Sequence, residues 1–209
     1  MDKVIYRNLE KKDYETIKEL ICEAFGFKNF IKDKELLNLA LDFYLKDCID
    51  ESSFSKVAEK NNKVIGIILG NAKKDKNHLE KYNNMLDKDY TEIKSIMTDK
   101  ENIIALKEFS KIKDTYKEII KGREDYFQGC IQLFIVSKES RGLGIGKTLI
   151  NHLFNYMKDM DVKSLYLYTD TRCNYGFYDS QKFNRLDTKE ICFNSIKAKL
   201  DVFLYSYNF

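Results

Sequence analysis

Residues 133–150 read LFIVSKESRGLGIGKTLI. An apolar run, Cys130 to Val136, breaks at Ser137. Three glycines then alternate with other residues at 142, 144 and 146, and Lys147-Thr148 opens a stretch with helical spacing. The stripe Ile145, Leu149, Leu153, Met157 predicts a helix from Gly144 to about Asp159. A second apolar strand follows at 163–170. Strand, loop, helix, strand is a right-handed βαβ unit, which makes the two strands parallel. Small residues where a strand turns into a helix allow an anion to approach bare main-chain N–H groups, and the helix dipole favours it there.

Three phosphate loops share this look, and spacing separates them. A Walker A loop places four residues between its first glycine and Gly-Lys-Ser/Thr. Counting back from Gly146 puts that first glycine at 141, which is Arg141. From Gly142 the loop is one residue short, although Asp170 at a strand end would suit a Walker B acid. A dinucleotide loop is G-x-G-x-x-G with an acid about 20 residues on; here the pattern is G-x-G-x-G without that acid. The remaining reading, R/Q-x-x-G-x-G/A, fits Arg141-Gly142-Leu143-Gly144-Ile145-Gly146. Arg141 and Lys147 are placed to add charge. Without a ligand, the same glycines would make a tightly packed turn.

The segment 133–150 resembles the central motif of the GCN5-related N-acetyltransferase (GNAT) superfamily, with Lys138 where many members have proline. A second stretch, TDTRCNYGFYDSQKF (169–183), extends the likeness. Asn174, Tyr178 and Phe183 stand where the family has Asn, Tyr and Phe, with a short Asn-to-Tyr gap and Lys182 in place of the usual glycine. The resemblance implies acetyl-CoA as cosubstrate, with its diphosphate on Arg141 to Lys147. It implies pantetheine amides pairing with the main chain at Phe134, Ile135 and Val136, with Asn174 and Phe177 beside the arm. Tyr178 would be the general acid that protonates the leaving thiolate. An acceptor amine must also lose a proton. Thr169 stands where some members carry a Glu base, Asp170 is expected on the opposite strand face, Glu108 is an unanchored candidate, and Cys173 fits a buried spectator thiol better than a nucleophile.

The remaining chain places this unit. A first strand is expected at 3–9. A helix follows with Ile17, Leu20, Ile21, Ala24 and Phe25 on one face, Asp13 as N-cap and Gly26 as its end. A second helix is expected over 33–46, and a hairpin over 53–71 around Asn61-Asn62. Residues 73–126 carry two amphipathic patterns, Leu79 to Ile96 and Leu106 to Ile119, read as a helical insertion. A short helix near 174–181 and strands near 183–193 and 198–207 close the chain. The expected fold is α+β in α/β/α layers. Its central sheet is mixed and mostly antiparallel, with about six or seven strands, a splayed parallel pair and one helical insertion, in a single domain over 1–209.

Composition excludes other classes. The chain has 209 residues, 33% charged and 44% hydrophobic, with a net charge of +3. That charge is too small and scattered for nucleic-acid binding. No run approaches a membrane span, and MDKVIYRNLEKKDYE lacks an apolar signal core, so a cytoplasmic protein is expected. Five cysteines without a C-x-x-C pair suggest free thiols. His78 and His152 stand too isolated for a zinc site, so no metal is expected. The expected partner is a small-molecule or peptide amine, and a homodimer is compatible with the sequence. FGFKNF (25–30) and the insertion are the candidate acceptor walls. The rival reading is a non-catalytic acyl-CoA-binding regulatory module.

Overall fold

A computed structural model describes residues 3–77, 79 and 98–209. Seven strands form one sheet: β1 (Ile5–Arg7), β2 (Phe54–Lys60), β3 (Lys63–Ala72), β4 (Gly129–Val136), β5 (Ser164–Asp170), β6 (Asn184–Phe193) and β7 (Ala198–Asn208). Their order is β1-β2-β3-β4-β5-β7-β6, and every neighbouring pair is antiparallel except β4 and β5. On one face lie α1 (Tyr14–Ala24), α2 (Phe27–Phe30), α3 (Lys34–Asp50) and α4 (Lys100–Ile120). On the other lie α5 (Ile145–Asp159) and α6 (Gly176–Ser180). The mixed, layered fold expected from the sequence is the one observed.

Each helix start has a local cause. Asp33 caps α3 by accepting from Leu36 N–H at 2.7 Å, and Asp99 caps α4 by accepting from Glu101 and Asn102 N–H at 2.9 and 3.1 Å. Asp13 does not cap α1. Its carboxylate is buried against Arg7, taking Nη1 and Nη2 at 2.7 and 2.8 Å, and it accepts from Glu10 N–H at 2.9 Å. A 3₁₀ turn, Lys11–Asp13, leads into the helix instead. Gly26 ends the region of α1 with a φ of 62°, as expected, but the chain then winds into the short α2, which periodicity did not reveal. The hairpin turn takes φ of 52° and 58° at Asn61 and Asn62, the left-handed pair that a tight two-residue loop requires.

The first amphipathic pattern of the expected insertion, from 80 onward, lies outside the described residues, as does His78. The second is α4. Leu106, Phe109, Ile112 and Tyr116 of its stripe pack into the same core as α1–α3, and Ile119 is buried. Phe109 meets Phe27 and Phe30 at ring distances of 4.7 and 6.3 Å, and Tyr116 stacks flat on Tyr168 of β5 at 4.2 Å. Glu118 pairs with Lys189 of β6. The helix therefore covers the β5–β7–β6 half of the sheet.

The β4–β5 pair determines the site. Only Gly129, Cys130 and Ile131 of β4 find partners on β5, at Leu165, Tyr166 and Leu167. Beyond them the strands diverge. On the other edge of β4, Leu69 opposes Leu133 and Gly70 opposes Ile131, so Gln132 has no partner and forms a bulge. A bulge bends its strand and raises the local twist. It also reverses which side chains face which layer: Ile131 joins the α5 core, whereas Leu133 joins the α1–α3 core. The bulge falls where pairing to β5 stops, and it gives the gap a local cause.

Candidate functional site

Past the bulge, β4 presents free main-chain groups to the gap. Val136 opposes Gly66, and Ser137 N–H donates to Ile65 O at 2.8 Å. That bond makes Val136 and Gly66 a non-hydrogen-bonded pair. The N–H and C=O of Phe134 and Val136 therefore point away from β3, into the gap. Ile135 points its main-chain groups the other way, to β3, and its side chain is buried in the core. It lies in the strand but not on the gap edge.

The glycine loop sits at the end of β4. Ser137–Ser140 makes a 3₁₀ turn, and Gly142 and Gly144 both have a φ of 77°. A Cβ at either would meet nothing within 4 Å. Glycine is needed there for backbone conformation rather than for internal space. Gly146 differs: its Cβ would lie 3.3 Å from Phe177 and 3.5 Å from Phe134, two rings that meet edge-to-face at 5.4 Å. No side chain caps α5 at Gly144. The first-turn N–H groups have no partner within a helix, so Ile145, Gly146 and Lys147 hold theirs outward. Ile145 is otherwise a core residue, while Arg141, Leu143 and Lys147 are exposed. Thr148 Oγ1 donates back to Gly144 O at 3.2 Å.

At the far side of the gap, α6 brings Tyr178 under the sheet. Its ring is buried among Phe134, Phe177, Phe183 and Tyr205, with centroids 5.4–6.3 Å away. Its hydroxyl bonds to none of the described residues. Burial pushes this phenol well above its ordinary value, with Cys173 and Tyr205 adding to the shift. A second network braces the helix: Arg185 donates through Nε and Nη2 to Tyr205 Oη at 2.9 and 2.6 Å, and Tyr205 Oη donates to Asp179 at 2.8 Å. Lys182 follows at a φ of 65°. Asn174 is exposed at the turn before α6, its carbonyl accepting from Phe177 N–H at 3.1 Å.

The other candidates fall elsewhere. Glu108 is buried, with one oxygen 3.0 Å from Lys111 Nζ and the other accepting Asn194 N–H at 3.0 Å. It ties α4 to the β6–β7 turn, with both oxygens engaged in that contact. Burial pushes the Cys173 thiol up to about 11, which keeps it protonated at neutral pH and argues against a nucleophile. Asp170 is buried at the end of β5 on the face of Tyr166 and Tyr168, opposite Thr169, and its Oδ1 accepts Arg172 N–H at 2.8 Å. Among the described residues no group of three or more His, Cys, Asp or Glu gathers as a metal site, and no helix is long and apolar enough to cross a membrane.

A β4 splayed from β5, with an uncapped glycine loop at the mouth of the gap, is the arrangement of the GNAT fold. Comparison with known proteins agrees. Residues 97–183 match the sequence model of the acetyltransferase (GNAT) family, and the resemblance read from the loop is borne out. No curated protein matches the sequence. Among solved structures, an N-acetyltransferase from Staphylococcus aureus Mu50 is similar with a TM-score of 0.57 at 12% identity, covering 99% of this chain and 98% of its own. Arabidopsis thaliana Naa50, solved with the bisubstrate analogue CoA-Ac-MVNAL, gives 0.55 at 18%, covering 99% of both chains. The ribosomal-protein-S18-alanine N-acetyltransferase of Escherichia coli gives 0.54 at 10%, covering 99% and 94%. At these identities the likeness is one of fold.

Proposed function

We propose that the chain is a single-domain, cytoplasmic N-acetyltransferase that moves the acetyl group of acetyl-CoA to a primary amine within a ternary complex. Family and fold support acetyl transfer in general. The observation that carries the finer reading is the gap itself: unpaired main-chain groups of Phe134 and Val136, continuous with the uncapped start of α5. Extended amides of a pantetheine arm add to such an edge as a strand would. The diphosphate then meets the N–H groups of Gly142 to Lys147, with Arg141 and Lys147 adding charge and no metal required. Gly146 lets the rings of Phe134 and Phe177 form the floor, and the Asn174 amide is within the turn that borders the arm.

In this reading the amine attacks the thioester carbonyl from the α1–α4 face, because the loop occupies the other. A gap-facing N–H on β4 stabilises the developing oxyanion. The C–N bond forms, the C–S bond breaks with its electron pair on sulfur, and the Tyr178 hydroxyl gives that sulfur a proton. The amine nitrogen releases its own proton to solvent. The engaged carboxylate of Glu108 leaves open the second reading, a non-catalytic acyl-CoA-binding module. The test is thiol release from acetyl-CoA with a panel of amines, alongside calorimetric titration of acetyl-CoA and ATP. Acetyl-CoA binding with amine-dependent thiol release supports the enzyme, and binding without any release supports the module. Preference for ATP removes both.

A further inference from the structure

The acceptor side of the gap holds a guanidinium with an unused edge. Arg172 is the second residue after β5, in the turn that leads to Asn174 and Tyr178. It immediately precedes Cys173 in that turn. Its guanidinium carbon sits 5.1 Å from the centre of the Phe30 ring, and Nη1 would lie 3.8 Å from a Cβ at Gly26. The side chain therefore crosses from the β5–α6 turn to the α1–α2 wall. Nε lies 3.7 Å from Asp170 Oδ1, beyond hydrogen-bond length. Among the described residues nothing accepts a hydrogen bond from Nη1 or Nη2. The Arg172 side chain is still 28% exposed.

A plain ion pair with Asp170 leaves half of this arrangement unexplained. Asp170 takes its short hydrogen bond from the Arg172 backbone, and the side chain approaches it only through Nε. The Phe30 ring lies under the guanidinium, with the ring centre 5.1 Å from its carbon, while the Nη edge stays open. Such a pre-set edge matches the two oxygens of a carboxylate, whereas a lysine would offer neither the plane nor the second donor.

We propose that Arg172 binds a carboxylate on the acceptor, so that the acceptor is a small amine that also carries a carboxylate, as an amino acid does. This rests on the transferase reading above and narrows its substrate. The carboxylate sits on the Arg172 fork between α2 and the β5–α6 turn, and the amine is thereby turned towards the gap.

Matched acceptors test it. Thiol release is measured for amino acids and their decarboxylated partners, lysine against cadaverine and phenylalanine against phenethylamine, with the wild type, Arg172→Gln and Arg172→Lys. The expected result is a preference of at least about tenfold in kcat/KM for a carboxylated member. Arg172→Gln should lower that value roughly 10- to 100-fold, mostly through KM, with a loss at least tenfold smaller for its partner. Arg172→Lys should recover only a small part. Equal use of both members, equal losses in both, or acetyl-CoA binding with turnover of no carboxylated amine would overturn the proposal. A fall in acetyl-CoA affinity in Arg172→Gln, measured by calorimetry, would also overturn it. A wild type that binds no acetyl-CoA would instead sink the transferase reading.

Discussion

Tyr178 combines a buried ring with a hydroxyl that bonds to none of the described residues. A structural tyrosine at this depth would normally donate its O–H to a neighbour. Tyr178→Phe should keep the ring packing and acetyl-CoA affinity within about twofold, while kcat falls roughly 10²- to 10⁴-fold; unchanged kcat would remove the acid role. The raised pKa fixes the pH dependence. The phenol acts in its protonated form, so a higher pKa moves the loss of that form upward. The rate should climb with pH as the acceptor amine loses its proton, with no fall from Tyr178 below about pH 10; a decline near neutrality would contradict this. Lys182 makes a different point. Its φ of 65° is a left-handed conformation that costs a side-chain-bearing residue about 1–2 kcal/mol. Lys182→Gly should relieve about 1 kcal/mol and raise the Tm by about 2–4 °C in thermal unfolding.

At the scale of elements, the glycine loop couples backbone shape to ligand geometry. Gly144 is both the left-handed N-cap residue of α5 and part of the exposed turn proposed to hold the diphosphate. Because a Cβ there meets open space, Gly144→Ala acts through φ alone. It should cost about 1 kcal/mol of stability and weaken acetyl-CoA binding about tenfold or more by calorimetry, since the N–H groups no longer converge. Unaltered affinity would place the diphosphate elsewhere. This loop was legible in the sequence because spacing, flanking strand and helical stripe all pointed one way. The bulge at Gln132 was not, since no glycine or proline stands at it in β4 itself and the run CIQLFIV passes through it without a break. Its signal is only in the pairing register, where Gly70 and Leu69 fall out of step with Ile131 and Leu133. Asp13 misled for a related reason. An acid before an apolar stripe reads as a cap, but Arg7 six residues earlier offered two charge-assisted bonds that outcompeted one backbone N–H. Arg172 gave no local signal either, because its partners Phe30 and Gly26 arrive from the opposite end of the chain.

For the whole molecule, the sheet consists of two halves, β1–β4 and β5–β7–β6, which share only three paired positions. Helix α5 bridges the halves, packing on β2–β4 while its Phe154 stacks on Tyr207 of β7, but the open length of the gap contributes no strand–strand bonds. A ligand that lays its amides along β4 fills that length and stabilises only the folded state. Stabilisation of this kind follows mass action, about 2.7 kcal/mol at a hundredfold excess over Kd. For a chain of 209 residues this corresponds to an upward Tm shift of about 5–10 °C. ATP offers a similar nucleotide and phosphates to the loop but no amide arm for the gap. It should shift the Tm by at most about 1–2 °C at the same concentration. Desulfo-CoA, which keeps the arm and lacks the thiol, should stabilise nearly as well as acetyl-CoA. Equal shifts from ATP and acetyl-CoA would mean that the loop alone captures phosphate, leaving the gap in the sheet without a role in binding.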